Sequence, residues 1–208
     1  MINFKKILFL GAHTDDELAC SATLCKFMEK GSEIFVAVFS FCEESVPSGF
    51  PKNILNSEFD EAMRVLGIKN IFKYNFKVRY FPRDRQAILE ELVTLKNLIN
   101  PDLVLLPATT DIHQDHNVIS IEGIRAFNKT SSIFGYEIFP NNANFHSNGF
   151  VQINLEHLDK KINSLNCYKS QAFRNYPKEK IINGIAMARG LQIDVDIAEA
   201  FEIIKLRI

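Results

Sequence analysis

The sequence predicts one α/β domain over residues 1–208, a Rossmann-like three-layer α/β/α fold with a largely parallel central sheet. Three observations carry this expectation. The runs 6–12 (KILFLGA), 33–41 (EIFVAVFSF) and 102–108 (DLVLLPA) are almost continuously apolar, as strands covered on both faces are. Segments with helical periodicity separate them, which suggests βαβ units. A length of 208 residues, 47% hydrophobic and 24% charged, suits one ordinary core that needs no staples.

The elements follow in order. Residues 6–12 form a buried strand that stops at a polar cluster. Residues 15–30 read as a helix, with Leu18, Ala22, Cys25 and Met28 on one stripe and Gly31 as its stop. A second buried strand covers 33–41, and Pro47, Gly49 and Pro51 make 41–53 a loop. Helix 56–66 ends at Gly67, a short strand covers 70–75, and an amphipathic helix over 85–99 stops before Pro101. After the third strong strand, 102–108, a polar stretch leads into a helix from about His116 to Phe127. Strands over 133–139 and 150–154 and a helix over 158–171 follow. Residues 198–206 fit strand and helix equally well.

Bulk properties exclude little and point nowhere exotic. With 24 basic and 25 acidic residues the net charge is -1, so no global field calls for nucleic acid or an anionic membrane. Cys20, Cys25, Cys42 and Cys167 contain no C-x-x-C pair and suit a reducing, cytoplasmic setting. The apolar run after Lys5 and Lys6 is too short to span a membrane, and signal cleavage there would remove the histidine that follows it. Gly11 is not part of a G-x-G-x-x-G, so no dinucleotide cofactor is expected.

Two polar clusters stand directly after buried strands, where ligands bind in open α/β sheets. The first is His13-Thr14-Asp15-Asp16-Glu17. Its bland reading is a helix start, with acids at the positive end of the dipole. Its chemical reading uses the helical turn: His13 and Asp16, three apart, share a face and can meet on a metal, while Asp15 points elsewhere. Imidazole and carboxylate suit Zn2+, and an adjacent carboxylate can deprotonate water. The second cluster is Asp111-Ile112-His113-Gln114-Asp115-His116. One histidine of this pair can complete a His-Asp-His set. The other stays free to act as an acid or to stabilise an oxyanion, and Asp115 or Asp111 can fix a ring tautomer.

These stretches, G-A-H-T-D-D-E and H-Q-D-H-N, resemble the two signatures of the PIG-L/LmbE-like deacetylase family, written A-H-P-D-D-E and H-P-D-H. Members of that family remove acyl groups from N-acetylglucosamine-type sugars. Residues 158–171 (LDKKINSLNCYKSQ) and 198–205 (AEAFEIIK) are similar to its late K…H-x-S-Q and A-E-A-F stretches, so the resemblance spans most of the chain. It implies His13, Asp16 and His116 as ligands of one Zn2+ or another divalent ion. It implies Asp15 as general base, His113 facing the oxyanion or leaving amine, and Asp115 supporting His113. Glu17 would cap or support.

The sequence departs from the family at several places. Thr14 and Gln114 stand where prolines are usual, and Asp111 stands where some relatives have Tyr. The stretch Asn53-Ile54-Leu55-Asn56 lacks the family's substrate-holding Arg, for which Lys52 and Arg64 are the replacements to weigh. The expected reaction is hydrolysis of an N-acyl amino sugar or sugar conjugate, with homo-oligomerisation left open. The alternatives are amide hydrolysis on a thiol conjugate or nucleotide-linked sugar, Mg2+-dependent phosphoryl transfer, which the histidines disfavour, and a binding module without turnover.

Overall fold

The computed structural model describes residues 4–174 and 178–207. In chain order the elements are β1 (Lys6–Gly11), α1 (Ser21–Glu29), β2 (Glu33–Val38), α2 (Ile54–Leu66), β3 (Asn70–Lys73), α3 (Phe81–Ile99), β4 (Leu103–Pro107), α4 (Gln114–Phe127), β5 (Ser132–Tyr136), β6 (Gly149–Gln152), α5 (Leu155–Leu165), α6 (Glu179–Leu191) and β7 (Ala198–Lys205). The strands form one sheet in the order β3-β2-β1-β4-β5-β7-β6. The first five are parallel, and β7 runs antiparallel between β5 and β6. This is the largely parallel α/β architecture that the apolar runs predict.

Period-two alternation puts both faces of the central strands in contact with helices. Ile7 and Phe9 of β1 and Leu103 and Leu105 of β4 pack on one side with Leu24 of α1 and Phe59 and Met63 of α2. Leu8, Leu10, Val104 and Leu106 pack on the other with Ile88 and Leu92 of α3 and Ile119 of α4. Every one of these side chains is fully buried. A polar substitution in β1 or β4 therefore has no solvated face to turn to.

Several elements differ from the sequence reading. The helix expected over 15–30 is broken into a 3-10 turn, Asp16–Ala19, and α1, with Cys20 out of helical conformation at φ -141°, ψ 24° between them. The break is local competition: the Asp16 carboxylate accepts the His13 N–H at 2.9 Å, holding a turn that an uninterrupted helix could not keep. Helix α3 begins at Phe81 rather than 85, because Pro82 is tolerated in a first turn. The helix expected over 158–171 ends at Leu165, and Lys169–Gln171 forms a separate turn. Helix α6 was not expected at all, and 198–206 resolves as strand β7. The stop at Gly67 is as expected, with the left-handed φ of 79° that glycine adopts without strain.

Candidate active site

The connections after β1 and β4 leave the sheet in opposite directions, and a crevice opens between their carboxyl ends. Both polar clusters reach it. A cavity of about 400 Å3 there is lined by His13, Asp15, Asp16, His113 and His116, together with Arg79 and Arg174. Gly11, the last residue of β1, gives the turn its room: a Cβ on it would lie 3.1 Å from the His13 carbonyl and 3.3 Å from the Asp16 Cβ.

His13, Asp16 and His116 converge. His116 Nε2 lies 3.0 Å from His13 Nδ1 and 3.3 Å from Asp16 Oδ1, and His13 Nδ1 lies 3.8 Å from Asp16 Oδ1. All three residues are buried. The outer nitrogen of each ring faces a carboxylate: His13 Nε2 is 3.1 Å from Asp115, and His116 Nδ1 is 2.8 Å from Asp111. A carboxylate on the outer nitrogen fixes one proton there, so the inner nitrogens turn toward Asp16 and each other. A proton shared between the inner nitrogens holds them 3.0 Å apart, and a divalent ion at that point would take its place. The same carboxylates shift the rings. Burial opposes protonation of His116, but Asp16 and Asp111 push its pKa up to about 10. Burial likewise opposes, and Asp115 and Asp16 overcome it, at His13, whose pKa is raised. Burial would raise Asp16, yet His116 and His13 hold it well below the usual carboxylate range. The donor set thus fits a divalent ion with N and O preferences. A set of His13, His113 and His116, whose ligand atoms lie within 4.8 Å of one another, is the geometric alternative. No carboxylate backs His113, and its Nδ1 already accepts the Asp115 N–H at 3.2 Å as the cap of α4.

That cap has a chemical consequence. With Nδ1 accepting, the neutral His113 ring carries its proton on Nε2. Burial first, and then the charges of His116 and His13, pull its pKa down to about 4. His113 therefore stands in the cavity as a neutral N–H donor. Asp115 does not support His113 through its carboxylate, as the resemblance implies. That carboxylate holds His13 and accepts the Arg79 N–H at 2.6 Å, and only its backbone N–H touches the His113 ring. Asp15 lines the cavity half-buried, with no donor to its carboxylate from the side chain of another described residue. Burial, and then the Asp16 charge, raise its pKa.

Glu17 stands behind this turn, fully buried. The Tyr168 hydroxyl sits between the Thr14 carbonyl and Glu17 Oε1, the latter at 2.8 Å. The hydroxyl is therefore shared between Thr14 and Glu17 as acceptors, and burial, against that Tyr168 hydrogen bond, pushes the Glu17 pKa well above the usual range. The far end of the turn is held by a buried ion pair. Lys161 Nζ donates to Glu199 at 2.5 Å and to the Ala19 carbonyl at 3.0 Å, and Glu199 accepts the Thr23 N–H at 2.7 Å.

The residues weighed as replacements for the missing Arg lie elsewhere. Arg64 pairs with Glu61 on the surface, and Lys52 donates to the Glu43 carbonyl. The guanidiniums that line the cavity are those of Arg79 and Arg174, which no motif marks. Asp111, standing at the Tyr position of relatives, holds His116 with one oxygen and accepts the His113 N–H with the other at 2.8 Å.

Comparison with known proteins places the chain in a family and a fold. The PIG-L family, described as GlcNAc-PI de-N-acetylase, matches residues 8–127. An Escherichia coli (strain K12) protein described as uncharacterized deacetylase YaiS is 28% identical over 174 residues, which are 80% of this chain and 91% of that protein. The N,N'-diacetylchitobiose deacetylase of Pyrococcus horikoshii superposes with a TM-score of 0.81 at 21% identity, covering 98% of this chain and 85% of that one. GalB, the 4-carboxy-2-hydroxymuconate hydratase of Pseudomonas putida KT2440, superposes with a TM-score of 0.78 at 18% identity, covering 98% of each chain. These two structural likenesses speak to the fold alone.

Proposed function

The chain belongs to the PIG-L, GlcNAc-PI de-N-acetylase, family, and from that premise we propose that it is a metal-dependent hydrolase that removes the N-acetyl group of an amino sugar or sugar conjugate. One observation supports this most: the carboxylate-backed convergence of His13, Asp16 and His116 beside an uncommitted Asp15 in one cavity. Held by His13, Asp16 and His116, one Zn2+ or similar ion would supply Lewis acidity toward the acyl carbonyl and lower the pKa of water.

The chain's own residues supply the rest. Asp15, more basic than an ordinary carboxylate, takes the proton of the attacking water. The neutral His113 donates its Nε2 proton in a hydrogen bond to the oxyanion of the tetrahedral species. The proton held by Asp15 is then available to the leaving nitrogen, and a free amine and acetate result. A module that only binds has no use for Asp15 or for a neutral His113 donor. The likeness to a hydratase does not redirect the reading, because fold does not decide which water addition a site performs.

Among the described residues no helix is long and apolar enough to cross a membrane. The four unpaired thiols suit a reducing, cytoplasmic setting. The test is amine release from a panel of N-acetylated sugars, using protein with and without added Zn2+. Release that vanishes on chelation is expected. One bound equivalent of metal without turnover on any amide would leave the binding module standing.

A further inference from the structure

Five of the eight arginines are ion-paired, and two of the other three line the cavity. Arg64, Arg83, Arg85, Arg125 and Arg189 each face a carboxylate, those of Glu61, Asp84, Glu122, Glu122 and Glu137. Arg207 donates to the Lys129 carbonyl at 2.8 Å. Arg79 and Arg174 face no carboxylate in an ion pair among the described residues, and both line the catalytic cavity. Arg79 makes one side-chain hydrogen bond, to the Ser45 hydroxyl at 3.3 Å, and the Arg174 guanidinium lies 5.9 Å over the Phe173 ring.

Arg79 is also held by the catalytic motif itself. Its φ of 70° is left-handed, a conformation that a long side chain adopts only under constraint. The constraint comes from both sides. The Asp115 carboxylate accepts its N–H at 2.6 Å, and the Gln114 side-chain amide donates to its carbonyl at 2.7 Å. Gln114 is the residue that stands where the family has proline, and proline has no side-chain amide to give. The same carboxylate that orients His13 thus fixes the Arg79 backbone from which its side chain reaches the cavity.

We propose that Arg79 and Arg174 form an anion-binding subsite, and that the substrate is an N-acyl amino sugar carrying a phosphate or carboxylate. This rests on the hydrolase reading above. A cavity walled by Asp15 and Asp16 would repel an anionic substrate unless cations offset them. Guanidinium forks with unused donors suit phosphate and carboxylate oxygens.

The experiment measures kcat/KM and calorimetric affinity of the metal-loaded protein for N-acetylglucosamine, its 1- and 6-phosphates, and N-acetylmuramic acid, whose charge is a carboxylate. At least one charged sugar should be preferred over the neutral one by about ten- to a hundred-fold, the size of one or two charge-assisted contacts. The preference should shrink with added salt. Arg79→Gln and Arg174→Gln should each remove most of it, and the charged sugar that is preferred distinguishes phosphate from carboxylate. Equal treatment of neutral and charged sugars overturns the proposal. So does a preference that survives both substitutions, because an anion held by the metal alone behaves that way. Absence of amine release with a charged-sugar affinity that both arginines control would overturn the hydrolase reading and leave the subsite standing.

Discussion

Two buried charge clusters flank the same short turn, and they differ in one respect. At Lys161 and Glu199 the charges answer each other: both glutamate oxygens accept, and the ammonium reaches a carbonyl as well. At His13, Asp16 and His116 the outer valences are filled by Asp115, Asp111 and the His13 N–H, while the inner ones face one another. Burial is similar, so burial of charge does not separate a fastening from the proposed reaction centre. The convergence of the inner nitrogens and the Asp16 oxygen on one point does.

The largest expected effect falls on the open cluster. Asp15→Asn should keep its metal, by elemental analysis, and lose about two to four orders of magnitude in turnover, as removal of a general base does. Activity within a few-fold of the parent would take the base role from Asp15. The closed cluster should answer in stability instead. Lys161→Met leaves Glu199 buried and unpaired, and should lower the unfolding free energy by about 3–5 kcal/mol. Adding Glu199→Leu should recover much of that loss in denaturant titrations, and a double variant no better than the single one would mean that packing, not charge, holds the turn.

A smaller effect comes from the metal itself. At a hundred times its dissociation constant, Zn2+ should stabilise the native state by about 2.7 kcal/mol, seen as a rise in Tm that a chelator reverses. His116→Ala should abolish that rise, and a full rise in the variant would remove His116 from the ligand set. Tyr168→Phe deletes the hydroxyl between Thr14 and Glu17 and should lower stability by about 1 kcal/mol, with metal content unchanged. Least of all, Arg64→Ala should leave turnover within about twofold, since its guanidinium pairs with Glu61 away from the cavity.

How much of this was legible before the fold is a matter of sequence distance. The central strands were plain because sheets buried on both faces need unbroken apolar runs, and His13 to Glu17 and Asp111 to His116 were plain because each cluster is continuous. The break at Cys20 was hidden, because only the Asp16 contact to the His13 N–H reveals that the helix cannot start there. Helix α6, with Gly184 and Gly190 inside it, lacks a strong propensity signal. Strand β7 is buried along only its first half, which blurs its period. The partners of Asp115 and the presence of Arg79 and Arg174 depend on loops that meet only in three dimensions. No spacing rule reaches that far.

The Glu199 contact to Thr23 joins residues 176 positions apart, and this has a consequence for how the chain matures. The turn that carries His13 and Asp16 leaves the ribosome long before its fastening, which arrives with β7. Strand β7 also lies inside the sheet, between β5 and β6, so the sheet cannot close its order until β7 has been made. Long-range strand pairing of this kind is slow to form. A growing chain would therefore hold the proposed metal ligands near one another without a fixed geometry. Competence would come in one late step, as the antiparallel strand threads between its neighbours and Lys161 finds its partner.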